Sequence, residues 1–216
     1  MNKDREKKLH LFLLAAVMSM LIWSVIKPFN YGTWALEVIP AVLGLGIVIA
    51  LYRRFPFTAL AYIIMAILSI LMFIGGHYTY SLVPVFTWLK EHFHLERNYY
   101  DRVGHFLKGF FVIVVREVLL RKTPLQKGGW LAAISVSISL AIAAVYEIIE
   151  WVVAKAAPGK KTTKEFLGTQ GDIWDTQWDM LLNLLGAVLA LVLLAKLHNK
   201  MLARFSLKKF KSGEDR

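Results

Sequence analysis

Six stretches of apolar residues alternate along the chain with short polar connections. They run over Leu9–Ile26, Trp34–Tyr52, Phe57–Gly76, Asp101–Leu120, Gly129–Ala154 and Asp172–Leu197. A helix rises about 1.5 Å per residue and a bilayer's hydrocarbon core is about 30 Å thick, so each stretch is long enough to cross it. The pattern predicts an all-α, polytopic integral membrane protein of about six transmembrane helices. It forms one transmembrane domain over 1–216, with a short N-terminal segment 1–8 and a basic tail 198–216. Between the third and fourth stretches, Leu82, Phe86, Leu89 and Phe93 recur at helical spacing while Lys90, Glu91, His94 and Arg97 fill the rest of the turn. This predicts a short interfacial helix lying on the membrane surface, with Pro84 accommodated in its first turn.

The last stretch departs from an ordinary spanning helix at its start. In GDIWDTQWDMLLNLLGA, Asp172, Asp175 and Asp179 fall at helical spacing, and Asn183 and Gly186 continue the same stripe. A charged side chain in the bilayer core costs about 2.5–3.5 kcal/mol even on the lenient insertion scale. Three carboxylates on one face therefore imply a cation, protons or water opposite them. Trp174 and Trp178, on another face, are placed as aromatics are at a membrane interface.

Composition fixes the solvent. A 57% hydrophobic chain with a mean hydropathy of +0.52 belongs in a bilayer. The net charge of +11 does not imply nucleic acid, because the basic residues cluster at segment edges and in the tails, where they act as topology signals and lipid-headgroup contacts. The absence of cysteine excludes disulfides and thiolate metal sites. The charged N-terminus followed by the apolar run from Leu9 reads as a retained first helix rather than a cleaved signal peptide.

Assigning loops to sides puts 16 basic residues with the two termini and 7 on the opposite side, among them Lys155, Lys160, Lys161 and Lys164. By the positive-inside rule both termini are cytoplasmic. On that topology Glu37, His77, Asp101, His105, Glu147, Glu150 and the three aspartates all fall at one depth, at the outer end of the bundle. Arg116, Glu117 and Arg121 fall at the cytoplasmic edge and read as interfacial ion pairs.

On the fourth stretch Asp101, His105 and Lys108 share a helical face, and on the fifth Glu147 and Glu150 are one turn apart, with Ser135, Ser139 and Ala143 continuing inward as a small-residue packing surface. Carboxylate and imidazole groups projecting inward from several helices can cage a divalent metal, and a donor set without sulfur suits Zn, Mn, Fe or Mg. His105, Glu150, Asp172, Asp175, Asp179 and His77 are the candidate ligands. Glu147 and Lys108 are the candidate catalytic groups, Lys108 to hold a phosphate, and Asp101 orients His105. Lys108 alone cannot neutralise seven acidic side chains, so the rest need protons, water or metal. A hydrogen-bonded network that only joins helices is the plain alternative.

The segments GGHYTYSLVPVF, NYYDRVGHFLKGFF, REVLLRK, YEIIEWVVA and FLGTQGDIWDTQWDMLLNLLGA together resemble the YjdF-like family of bacterial inner-membrane proteins over almost the whole chain. That resemblance implies the topology and an inner-membrane location and assigns no reaction. A looser similarity is to the VanZ-like proteins, associated with glycopeptide-antibiotic resistance. Their D-K-x-x-H-F pattern corresponds to Asp101, Arg102, His105 and Phe106, and their D-x-x-x-N-x-x-G pattern to Asp179, Asn183 and Gly186. Their E-x-x-Q is E-x-x-E here, at Glu147 and Glu150, and the arginine that usually follows has no counterpart.

The reading that results is metal-assisted chemistry on a lipid or lipid-linked envelope substrate at an outward-facing acidic and histidine site. A small transporter or proton-coupled permease, and a non-enzymatic scaffold, are the readings from other classes. Membrane lipids are the expected partners. The sequence assigns no oligomeric state.

Overall fold

Each apolar stretch buries one face and leaves the others to the bilayer, and the helices follow from that. In the computed structural model, which describes residues 3–156 and 166–212, with side chains over 4–156 and 166–204, the chain forms α1 (Lys3–Val25), α2 (Tyr31–Leu51), α3 (Ala59–Tyr78), α4 (Pro84–His92), α5 (Tyr100–Lys108), α6 (Val112–Lys122), α7 (Gly129–Ala156) and α8 (Asp175–Ser212). No strand occurs among the described residues. Lys160, Lys161, Lys164 and Arg216, used above to set the topology, lie outside the described residues, as do the side chains of Lys3, Lys208, Lys209 and Lys211.

Five of these helices, α1, α2, α3, α7 and α8, are long and apolar enough to cross a membrane. The expected sixth differs. Residues 100–122 are helical but interrupted, with a 3₁₀ turn at Gly109–Phe111 joining α5 to α6. Its charged residues keep it from reading as a lipid-facing span, and the interior shelters it: Val112 and Ile113 are fully buried against Ile64 of α3 and Ala187 and Ala190 of α8. The break has a packing cause. A Cβ on Gly109 would lie 2.3 Å from the Asn183 carbonyl oxygen, and one on Gly186 would lie 1.9 Å from that of Phe106. Only glycine lets the two backbones meet there.

On the other side α3 packs with α1 and α2 through Val17, Val38, Ala41, Ala66 and Phe73. The chain therefore has two helix groups sharing α3. Side chains such as Trp130 and Val192, 81% and 71% exposed, turn outward as lipid-facing residues do. Asn30 caps α2 by accepting from the Gly32 and Thr33 N–H groups, at 2.8 and 3.1 Å. Pro84 stands in the first turn of the short helix α4, whose Phe86 packs on Tyr80 and Tyr100 while Phe93 stays exposed.

The end of the bundle carrying α6's C-terminus corrects one expectation. Glu117 does pair with Arg121, but inside the bundle rather than at its surface: it is fully buried. It accepts from the Thr58 N–H at 2.9 Å, the Thr58 hydroxyl at 2.7 Å and Arg121 at 2.9 Å, and it lies 3.1 Å from His198 Nε2. Arg116, also buried, bonds the Asn199 side chain at 2.7 Å. His198, placed in the solvated tail by the sequence pattern, is fully buried because α8 runs unbroken to Ser212.

Candidate metal centre

At the opposite end, α2, α5 and α8 begin and α7 ends, and the side chains of those turns converge. The start of α5 is fixed by Asn98, whose side chain accepts from Tyr100 N–H at 3.0 Å and donates to the Val83 carbonyl at 3.1 Å. A clasp closes over it. Asn98 N–H donates to Gln170 Oε1 and Gln170 Nε2 donates to the Asn98 carbonyl, both at 2.9 Å. The FLGTQGD stretch can fold back this way because Gly168 and Gly171 take φ of +59° and +92°, a region L side chains enter with difficulty.

Three ligand atoms, one each from Asp101, His105 and Asp179, lie within 4.8 Å of one another. Asp101 and His105 are one turn apart on α5, with Oδ1 and Nε2 3.5 Å apart. Asp179 comes from the buried stripe of α8, which runs through Asp175, Asn183, Gly186 and Ala190. Glu147 ends the buried stripe of α7, formed by Leu131, Ser135, Ser139 and Ala143, and its Oε1 lies 3.8 Å from His105 Nδ1. Lys108 Nζ is 3.1 Å from His105 Nε2. An ammonium has no lone pair, so Nε2 accepts and the ring proton sits on Nδ1. His105 Nδ1, Glu147 Oε1 and Asp179 Oδ1 are all buried without a hydrogen-bond partner, and these residues are only 2%, 6% and 3% exposed.

Unsatisfied buried polar atoms cost about 1–3 kcal/mol each, and a bound ion would offset part of that cost in this cluster. The donor set fits a hard or borderline divalent cation. Ligand bonds of about 2.0–2.2 Å place two donors at most about 4.4 Å apart, so a contraction of a few tenths of an ångström would close the group around one ion.

The other sequence candidates fall elsewhere. Asp172 precedes α8 rather than sharing its buried stripe. It pairs with Arg102, and its carboxylate accepts from Trp174 N–H at 2.9 Å. Those two contacts, the backbone bond first, hold its carboxyl below the usual range. Asp175 pairs with Arg97, whose guanidinium also reaches the Gly168 carbonyl at 3.3 Å. His77 stacks on Trp23 with ring centroids 4.2 Å apart, and its Nδ1 lies 3.1 Å from the Ser24 carbonyl, which ties α3 to α1. Glu150 is half-buried one turn beyond Glu147. Lys108 is not free to meet a phosphate from outside: besides His105 it faces the Tyr146 ring at 4.6 Å and the Tyr80 ring at 5.4 Å.

Sequence reasoning missed the two arginines. Arg97 reads as a solvated residue of the surface helix, yet it is 5% exposed and neutralises Asp175. Arg102, which lies over the Trp178 ring at 5.2 Å, neutralises Asp172. The signal was the surplus of acid itself, since two aspartates at the head of an apolar helix require guanidinium partners nearby. Tyr146 was missed too; its hydroxyl donates to Glu37 at 3.3 Å, joining α7 to α2. With Asp172 and Asp175 paired, Glu37, Asp101, Glu147, Glu150 and Asp179 remain around Lys108.

Below this cluster lies a cavity of about 690 Å³. His105, Lys108, Ser139, Tyr146 and Asn183 form its polar end beneath the cluster, His10, Tyr52, Tyr62 and Ser69 add polar atoms farther along, and the rest of the wall is apolar.

Comparison with known proteins completes the description. No solved structure matches the chain. The looser similarity to the VanZ-like proteins is not shown by these comparisons. The inner membrane protein YjdF of Escherichia coli (strain K12) is 40% identical over 189 residues, covering 87% of this chain and 90% of that protein. Residues 9–200 match the model of a family described as predicted membrane proteins, DUF2238, so every residue of the cluster lies within the match and the chain belongs to that family.

Proposed function

We propose that the chain is an integral membrane protein that holds a divalent metal between Asp101, His105 and Asp179 and uses it in chemistry on a lipid or lipid-linked envelope substrate. The observation that carries this reading is the approach of one ligand atom each from Asp101, His105 and Asp179 to within 4.8 Å of one another, with buried unpartnered atoms on His105, Glu147 and Asp179. The ion would take His105 through Nε2, the ring nitrogen without the proton and the one 3.5 Å from Asp101 Oδ1, in place of the Lys108 bond. Nδ1 would keep its proton toward Glu147 Oε1, 3.8 Å away, which sets the imidazole's orientation. A bound divalent ion supplies a water of lowered pKa and polarises a phosphoryl or carbonyl oxygen.

Glu147 is the acid/base group. Its unpartnered oxygen stands 3.8 Å from His105, on a helix that contributes no proposed ligand. Lys108 contributes positive charge from below rather than gripping a headgroup. The basic-residue asymmetry supports an extracytoplasmic position for the site, with both termini cytoplasmic. A permease using the same carboxylates needs a polar path through both halves of the membrane, and the apolar lining below Lys108 favours chemistry instead.

Elemental analysis tests the proposal. Protein purified without chelator should carry about one equivalent of Zn, Mn, Fe or Mg, and Asp179→Asn should remove it while the variant stays folded. Metal-free protein whose melting is unmoved by Zn²⁺, Mn²⁺ and Mg²⁺ would overturn it.

A further inference from the structure

The 690 Å³ cavity runs away from the site along the helix axes. It touches α2 from Pro40 to Tyr52 and α5–α6 from His105 to Val118, which at about 1.5 Å per residue is about 18–20 Å. Val17, Ala41, Val48, Met65, Ala66 and Met72 make much of its wall. The cavity also reaches the membrane face of the bundle. Gly44 and Ile47 of α2 and Ile142 of α7 line it, and the two isoleucines are 58% and 49% exposed. A Cβ on Gly44 would meet nothing within 4 Å. At the site end the gap between α2 and α7 is bridged by the Tyr146–Glu37 bond.

We infer that this cavity seats one acyl chain of a membrane glycerophospholipid, which enters sideways between α2 and α7 with the carbonyl end of that chain, not the headgroup, beside Tyr146, Lys108 and His105. The inference rests on the reading of the site as lipid-directed and narrows its substrate class. Length supports it, since one leaflet's share of the hydrocarbon core is about 15 Å and the cavity matches that with a little to spare. Volume supports it as well. At about 30 Å³ per water-sized group, the space holds about twenty methylenes, which is one acyl chain; a second chain does not fit, nor does a polyisoprenoid carrier several times longer. Polarity adds to the case, because the wall between the two ends is largely hydrocarbon and the ammonium of Lys108 lies at the end nearest the candidate metal centre.

The test reconstitutes the full-length protein in nanodiscs with phosphatidylethanolamine carrying a diazirine at the end of one acyl chain, and maps photo-adducts by mass spectrometry. Adducts are expected on the buried wall residues Ala66 and Ala143 as well as on lipid-facing Val192. Gly44→Trp should lower the interior adducts at least tenfold and leave those on Val192 unchanged, and Gly44→Leu should lower them by a smaller factor. Adducts confined to Val192 and other lipid-facing residues, or interior adducts unaffected by either substitution, would overturn the inference. So would displacement of the probe by a polyisoprenyl phosphate but not by excess phosphatidylethanolamine. Elemental analysis of the unsubstituted protein in the same nanodiscs separates this inference from the metal proposal. Interior adducts in unsubstituted protein that carries no metal sink only the metal reading, and bound metal without interior adducts sinks only the acyl-chain reading.

Discussion

At the scale of single residues the acidic end sorts into two kinds of carboxylate. Asp172 and Asp175 have guanidinium partners and serve the architecture. Asp179 and Glu147 each keep a buried oxygen with no partner, which suits ligand binding. The two kinds should respond oppositely to neutralisation. Arg97→Met removes the nearer of the two guanidiniums beside the buried Asp175 carboxylate, leaving Arg102 at 3.9 Å, and should destabilise the protein by about 3 kcal/mol. Adding Asp175→Asn should recover part of that loss, and a thermal or denaturant unfolding series on the two single variants and the double variant measures it. Glu147→Gln removes a desolvated charge and should leave the protein folded, with stability unchanged or raised. The same variant should fail to complement a deletion strain under envelope stress. Full complementation by Glu147→Gln, Glu150→Gln and Asp179→Asn alike would leave only a structural role for the cluster.

At the scale of elements, the crossing of the α5–α6 junction with α8 decides whether Asp101 and His105 meet Asp179. Gly109 and Gly186 permit that crossing, and a methyl group at Gly186 would run into the Phe106 backbone. Gly186→Ala should therefore cost about 1–3 kcal/mol by overpacking and weaken metal retention, because α8 is pushed from α5. Gly44→Ala, with nothing near its Cβ, should change stability by less than about 0.5 kcal/mol. A pair of melting curves with parallel metal analysis distinguishes the two outcomes. The buried knot at the other end anchors α3, α6 and α8 through Thr58, Glu117 and His198. Glu117→Gln replaces one acceptor oxygen with a donor facing Thr58 and Arg121. It should destabilise the protein by about 3 kcal/mol without altering bound metal.

At the scale of the whole molecule, the two ends of the bundle differ in chemistry. One holds the acidic cluster and the other holds the Glu117 knot, with the basic residues around it. The topology proposal predicts that a cysteine replacing Glu91, exposed on α4, reacts with an impermeant thiol reagent in intact cells, and that one replacing Lys127 does not. The cysteine-free background makes both measurements clean. Labelling at position 127 alone would invert the orientation and place the site in the cytoplasm.

The membrane class, the helices and their faces were legible in the sequence because they are local consequences of hydropathy and period. The buried stripe of α8 is the one that spacing picked out from Asp175 to Gly186, and the buried stripe of α7 follows Ser135, Ser139, Ala143 and Glu147. The candidate site was legible in its residue types and less so in its membership. Asp172 shares the helical spacing of Asp175 and Asp179, but the chain turns at Gly171 before the helix begins. Arg97 and Arg102 lie about 70 residues from the aspartates they neutralise, and no periodicity reports a pairing across that distance. His198 reads as part of a basic tail until α8 is seen to carry it beside Glu117. The sequence by itself determined which faces are apolar, because a side chain's partition between water and lipid depends on its own chemistry. Only the tertiary structure decided which charges are paired and which buried atoms lack partners, because those depend on distances between helices that the chain brings together by packing.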